Sequence, residues 1–213
     1  MTTLTVDAVL FDLDGTLVDS TASVHRNWAV IARLLGRPGE DLIGDLHGIP
    51  ARQVLRMRAP DLSEDRLDEL HRVVSEGEVA EAGSVVPTPG AAELLAGLPA
   101  DRWAVVTSGG RRLAAARMAG SGLPAPVAMV TADDVTTGKP DPEPFLLGAA
   151  ALHRDPSRCL VVEDAPAGVA AARAAGCPVL GLRTTYPSLD ADTVADLTAV
   201  RIDPQDGGLL VRY

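Results

Sequence analysis

Short apolar runs recur along the chain, each closed by a turn signal: Ala8 to Phe11, Trp103 to Val106, Val127 to Val130, Leu160 to Val162 and Val179 to Leu182. Runs this short and this rich in valine suit strands buried on both faces of a parallel sheet. Between them lie the helix-like stretches AAELLAGL, RRLAAARMAG, PEPFLLGAAALH and AGVAAARAAG. Such alternation predicts βαβ units with right-handed crossovers and helices on both faces of the sheet.

The segment from Asp19 to Val85 breaks the alternation. Val24, Trp28, Ile31 and Leu35 recur at helical spacing and form one stripe. Leu67, Leu70 and Val74 repeat the pattern. Ser63 is placed to cap that helix, and Glu64 and Asp65 fall in its first turn, where the helix dipole favours acids. The expectation is an all-helical insertion at residues 19–85, carried by an α/β core made of residues 1–18 and 86–213. Gly15 to Ser20 leads out and VVPTPG (Val85 to Gly90) leads back. Both crossings are short, which permits a hinge. At the end of the chain, VRIDPQDGGLLVRY sets two short apolar runs around DPQDGG, a hairpin signal.

Composition narrows the class. With 213 residues, 46% hydrophobic and 23% charged, the chain suits one domain, or one domain with an insertion, around a sizeable core. Extended disorder is excluded on the same grounds. A net charge of −10 argues against a broad nucleic-acid surface, while leaving room for a small anion pocket. No run approaches the roughly 20 apolar residues that a membrane span requires. The N-terminal stretch has no basic start and is broken by Asp7 and Asp12, so it does not read as a signal peptide. Cys159 and Cys177 sit in apolar runs and read as reduced core thiols. A cytoplasmic protein with no nucleic-acid or membrane partner is expected. A monomer is favoured, because no apolar stripe is left clearly unpaired.

Four segments carry candidate chemistry. In FDLDGTLVDS a buried strand ends in Asp12 and Asp14, which point to the same side of an extended chain. Two carboxylates at the ligand-binding end of an α/β strand repel unless a cation or a shared proton compensates them. A polar turn closing a strand would look similar, and an EF-hand loop fits poorly because its twelfth position is Ser23. In WAVVTSGG a strand runs into Thr107, Ser108 and two glycines before a helix, a loop suited to phosphate but common without it. In TTGKPDPEPF stands Lys139, the one lysine among 18 arginines. A crowded site between phosphate and carboxylate would demand its compact ammonium, although a single residue also fits chance. In CLVVEDAPAG another buried strand ends in Glu163 and Asp164. Several carboxylates around one crevice imply a hard divalent cation, Mg²⁺ being the natural choice. No His or Cys pair has zinc-ligand spacing.

In order, FDLDGT, VVTSG, GKP and VVED resemble the motifs of the haloacid dehalogenase-like superfamily of phosphotransferases. That resemblance implies a Rossmann-like core with a small helical cap. It implies that Asp12 is the nucleophile, forming an aspartyl-phosphate, and that Asp14 is the general acid and base. Thr107, Ser108 and Lys139 would bind the phosphoryl group. Mg²⁺ would be held by Asp12, the Asp14 carbonyl and Asp164, with Glu163 further out. HGIPARQVL in the cap and the long stretch around TADDVTTGKPDPEPF are similar to bacterial broad-range sugar phosphatases. By that likeness the substrate is a small sugar or polyol phosphate, and His47 is a substrate contact. Arg52 and His25 are weaker candidates for the same role. A β-phosphoglucomutase-like phosphomutase is the alternative, and a non-catalytic phosphate-binding protein a more distant one.

Overall fold

A computed structural model describes residues 2–213. The chain opens with β1 (Thr3–Val6) and β2 (Ala8–Phe11), followed by the two-residue β3 (Val18–Asp19). Three helices come next: α1 (Thr21–Leu34), α2 (Ala51–Arg58) and α3 (Glu64–Ala80). The chain returns through β4 (Val86–Pro87), which pairs antiparallel with β3. The outgoing and returning linkers therefore form a two-stranded ribbon at the hinge position. Then follow α4 (Ala91–Ala96), β5 (Trp103–Val106), α5 (Arg111–Ser121), β6 (Met129–Val130), α6 (Glu143–Ala151), β7 (Cys159–Glu163), α7 (Pro166–Ala174) and β8 (Val179–Leu182). The last strands are β9 (Asp192–Val194), β10 (Arg201–Gln205) and β11 (Gly208–Arg212).

The main sheet has six strands in the order β6-β5-β2-β7-β8-β9, all parallel. Every residue of β2, β5 and β7 is buried, which is why these strands read as unbroken apolar runs. One face packs Phe11, Val105, Val162, Leu95 and Met118 with the terminal strands. The other packs Leu10, Val106 and Val161 against Phe145 and Ala172 of α6 and α7. The chain leaves β2 for β5 and β6 on one side and comes back to β7 on the other. That reversal opens a crevice at the carboxyl ends of the central strands.

The three helices between the linkers hold a separate apolar cluster, with Trp28 and Ile31 of α1, Val54 and Leu55 of α2, and Leu67, Leu70 and Val74 of α3. Ser63 caps α3 by accepting from the Arg66 amide at 3.3 Å.

The structure adds elements that the hydrophobic pattern does not announce. β1 joins β11 and β10 in a separate antiparallel sheet, so the terminal hairpin pairs with the N-terminus rather than with the main sheet. Its turn is Asp206–Gly207, between the paired Gln205 and Gly208. β9 is a short edge strand with no fully buried residue. β6 is shorter than its apolar run, because Val127 follows a proline and is 65% exposed. His153 lies past the end of α6 in a left-handed turn, not on the helix.

Candidate active site

Three strand ends build the site. Asp12 follows β2, and its amide donates to the Val162 carbonyl at 3.0 Å, which fixes it against β7. Thr107 follows β5 and is held by its amide to the Val130 carbonyl at 2.9 Å. Glu163 closes β7, and Asp164 follows it. Parallel pairing of Phe11 with Val105 and Val162 brings these ends to one rim.

Lys139 enters from the loop before α6 and is fully buried. Its ammonium donates to Asp12 Oδ1 at 2.6 Å, Glu163 Oε1 at 2.7 Å and the Val106 carbonyl at 2.9 Å. All three of its donors are thus used. The second Glu163 oxygen accepts from the amides of Asp164 and Ala165, both at 2.8 Å, at the start of α7. Asp164 accepts from Thr16 Oγ1 at 3.2 Å.

Asp12, Glu163 and Asp164 are all buried and present oxygens within 4.8 Å of one another. Burial drives the Asp12 carboxyl well above its usual range, against the pull of Lys139. Burial and then the Glu163 charge push Asp164 up to about 8. Burial pulls the Lys139 ammonium down, but Asp12 and Glu163 outweigh it and hold it well above its ordinary value. One ammonium cannot compensate three ionised carboxylates, so full ionisation of the rim calls for a further cation. Gly15, at φ +82°, makes the turn directly after Asp14, and a side chain there would collide with Asp164 and Thr185.

Asp14 sits at the edge of this cluster. Ser20 Oγ donates to its Oδ1 at 2.8 Å, and Arg117 of α5 contacts its Oδ2 at 2.7 Å. Arg117 also reaches Glu78 of α3 at 3.1 Å. Burial raises Glu78 to about 7 in spite of that arginine.

The cap helices face the rim across a cleft of about 880 Å³. Asp12, Asp14, Thr107, Ser108 and His47 all line it. Thr107 Oγ1 accepts from the Gly109 amide at 3.0 Å, while Ser108 Oγ is turned to the Gly48 carbonyl at 2.7 Å. His47 packs near His25, 5.6 Å between ring centres, and edge-on to Tyr186 at 6.3 Å. Its amide donates to the Tyr186 hydroxyl at 3.3 Å. Burial, then the neighbouring His25, lowers the His47 imidazole below its usual value. Gly48, at φ +83°, lets this cap loop touch the core: a Cβ there would stand 2.7 Å from Ala165. Arg52 is turned to Glu64 and Asp68 on the cap surface, and Arg111 to Asp134.

Sequence reasoning misses Arg117, Glu78 and Tyr186. Two of them left a trace. Glu78 lies four residues past Val74 on the buried stripe of α3, and Arg117 four past Leu113 on that of α5. A charge on an apolar stripe is the signal of a buried, paired group. Tyr186 stands in a turn with no periodicity to single it out.

The fold and this rim define an α/β enzyme with a hydrolytic or group-transfer site under a helical cap. The sequence pattern of the haloacid dehalogenase-like hydrolase family matches residues 6–176, and the chain belongs to that family. It is 44% identical to hexitol phosphatase A of Escherichia coli over 178 residues, covering 81% of each chain. It is 36% identical to glycerol-1-phosphate phosphohydrolase 2 of Saccharomyces cerevisiae, over 86% of this chain and 77% of the other. A solved hydrolase from Pseudomonas syringae superposes with a TM-score of 0.75 at 28% identity, covering 84% of this chain and 85% of its own. The family is one of hydrolases, and the two relatives are by name a phosphatase and a phosphohydrolase. Among the described residues, no helix is long and apolar enough to cross a membrane.

Proposed function

We propose that the protein hydrolyses small sugar or polyol phosphates with Mg²⁺, through an aspartyl-phosphate on Asp12. The observation that carries this reading is Lys139, buried and shared between Asp12 and Glu163 beside a third carboxylate. An ammonium at that point offsets the repulsion between an attacking carboxylate and a phosphate dianion.

A divalent cation fits the donor set. The cluster offers hard oxygen ligands, its three carboxylates share one ammonium, and Glu163 is already engaged on both oxygens. Asp12 and Asp164, with the Asp14 carbonyl, would hold the ion, and Glu163 would orient the set from behind. When bound, Mg²⁺ supplies charge neutralisation at the phosphoryl oxygens.

The chain's own residues carry the steps. An Asp12 oxygen attacks phosphorus as the bond to the sugar oxygen breaks, and Asp14 gives that oxygen its proton. Water then attacks the same phosphorus and leaves its proton on Asp14, and the acyl-phosphate bond breaks to release inorganic phosphate. Thr107 and the amides after it bind phosphoryl oxygens at the head of α5, with Ser108 beside them.

The cap, residues 19–85, covers the substrate, and His47 is a polar contact to it. The relatives named above act, by their names, on hexitol and glycerol phosphates, and a cleft of about 880 Å³ has room for such molecules. The buried, free Cys159 and Cys177 fit a reducing, cytoplasmic setting.

The test is phosphate release from sugar, polyol and nucleotide monophosphates, with Mg²⁺ and with chelator. Turnover of several sugar or polyol phosphates that disappears with chelator is expected. Isomerisation of a sugar phosphate without phosphate release would replace this reading with a phosphomutase.

A further inference from the structure

Arg117 is 2% exposed, in a helix of the core otherwise built largely from small residues. A buried guanidinium is costly, and an apolar residue would fill α5 with less penalty. Its charge meets two partners that lie far apart in sequence. One nitrogen contacts Asp14 Oδ2 at 2.7 Å and another contacts Glu78 Oε2 at 3.1 Å, while Nε has no partner. Asp14 belongs to the core loop after β2 and Glu78 to the cap helix α3. The guanidinium is a rigid plane, so one contact cannot swing without moving the other. Ser20 Oγ takes the remaining Asp14 oxygen at 2.8 Å, from the ribbon that joins core and cap. Both oxygens of Asp14 are therefore set by groups that move with, or touch, the cap.

We propose that Arg117 is a positioning residue: its fork between Asp14 and Glu78 fixes the Asp14 carboxylate for proton transfer and ties that orientation to the seating of the cap. The inference rests on the phosphatase reading above, in which Asp14 protonates the leaving oxygen. It goes further by giving that role a holder and a link to the cap. The arrangement holds Asp14 in place when the cap is down and releases it when Glu78 swings away.

The leaving group provides a readout that a merely structural role would not move. A sugar or polyol leaves as a poor leaving group and needs its proton in the transition state, whereas p-nitrophenolate leaves without help. The value of kcat/KM reports the steps up to that departure. Arg117→Met should lower kcat/KM for glycerol 3-phosphate about 100-fold, the scale of a misplaced catalytic group, and lose far less with p-nitrophenyl phosphate. Arg117→Lys, which keeps the charge but lacks the fork, should show the same preference more weakly.

If Arg117→Met does not fold because Glu78 is left unpaired, the double variant Arg117→Met with Glu78→Leu removes the buried pair together. It should show the same substrate-selective loss. Equal losses on both substrates in any of these variants, folded as judged by thermal unfolding, would overturn the proposal. Absence of turnover by the parent protein on either substrate would instead overturn the phosphatase reading.

Discussion

Lys139 and Arg52 both stand among carboxylates, and their settings differ in almost every respect. Lys139 has no exposed side-chain area and sits between Asp12 and Glu163, which are 5% and 0% exposed. Arg52, on the cap, is 45% exposed and reaches Glu64 and Asp68 in water. The core contacts lie in a low dielectric, where charges act strongly and a missing partner is expensive. The cap contacts are screened and worth little each. Charge on the core rim is therefore chemistry, whereas most charge on the cap is surface. Arg117 and Glu78 are the exception, a buried pair that crosses between the two regions.

The largest test of this contrast is Lys139→Arg. The bulkier fork cannot enter the space between Asp12 and Glu163, so kcat should fall roughly 100- to 1,000-fold. Near-normal turnover would show that the buried ammonium is not needed.

A smaller effect is expected at the crossing. Burial holds the Glu78 carboxyl at about 7, above its ordinary value, so the folded state keeps that proton more tightly than the unfolded chain. This contribution to stability is complete below about pH 4.5 and is lost as pH rises through about 7, amounting to about 3 kcal/mol. Glu78→Gln should flatten the denaturant-measured stability between pH 5 and pH 8 by that order. An unchanged slope would place Glu78 in a more solvated setting than the structure gives it.

The smallest effect should come from Arg52→Ala, under about 1 kcal/mol in stability. A tenfold loss in kcat/KM for sugar phosphates would break the contrast by making Arg52 a substrate contact.

The rim was legible because strand ends mark themselves. Asp12 with Asp14, Thr107, and Glu163 with Asp164 each stop an apolar run, and parallel pairing leaves those stops on one edge. The helical insertion was legible from its stripes, down to the Ser63 cap. Edge elements were not. In β1 only Val6 is buried, and β9 has no fully buried residue, so neither carries a run that periodicity can detect. The β3–β4 ribbon is too short to show a pattern and exists because two linkers must pass each other. Arg117 and Glu78 were hidden for another reason. Each is a charge on an apolar stripe, a sign of burial that does not name the partner, which is revealed only when α5 packs against α3.

The measurement that tests the central claim most directly is the stereochemistry at phosphorus. A sugar or polyol phosphorothioate made chiral at phosphorus with two oxygen isotopes would be hydrolysed in water carrying the third, and the configuration of the product thiophosphate determined. Two in-line displacements, first by Asp12 and then by water, predict retention of configuration. Inversion would mean that water attacks the substrate directly, and Asp12 would lose its place as the nucleophile.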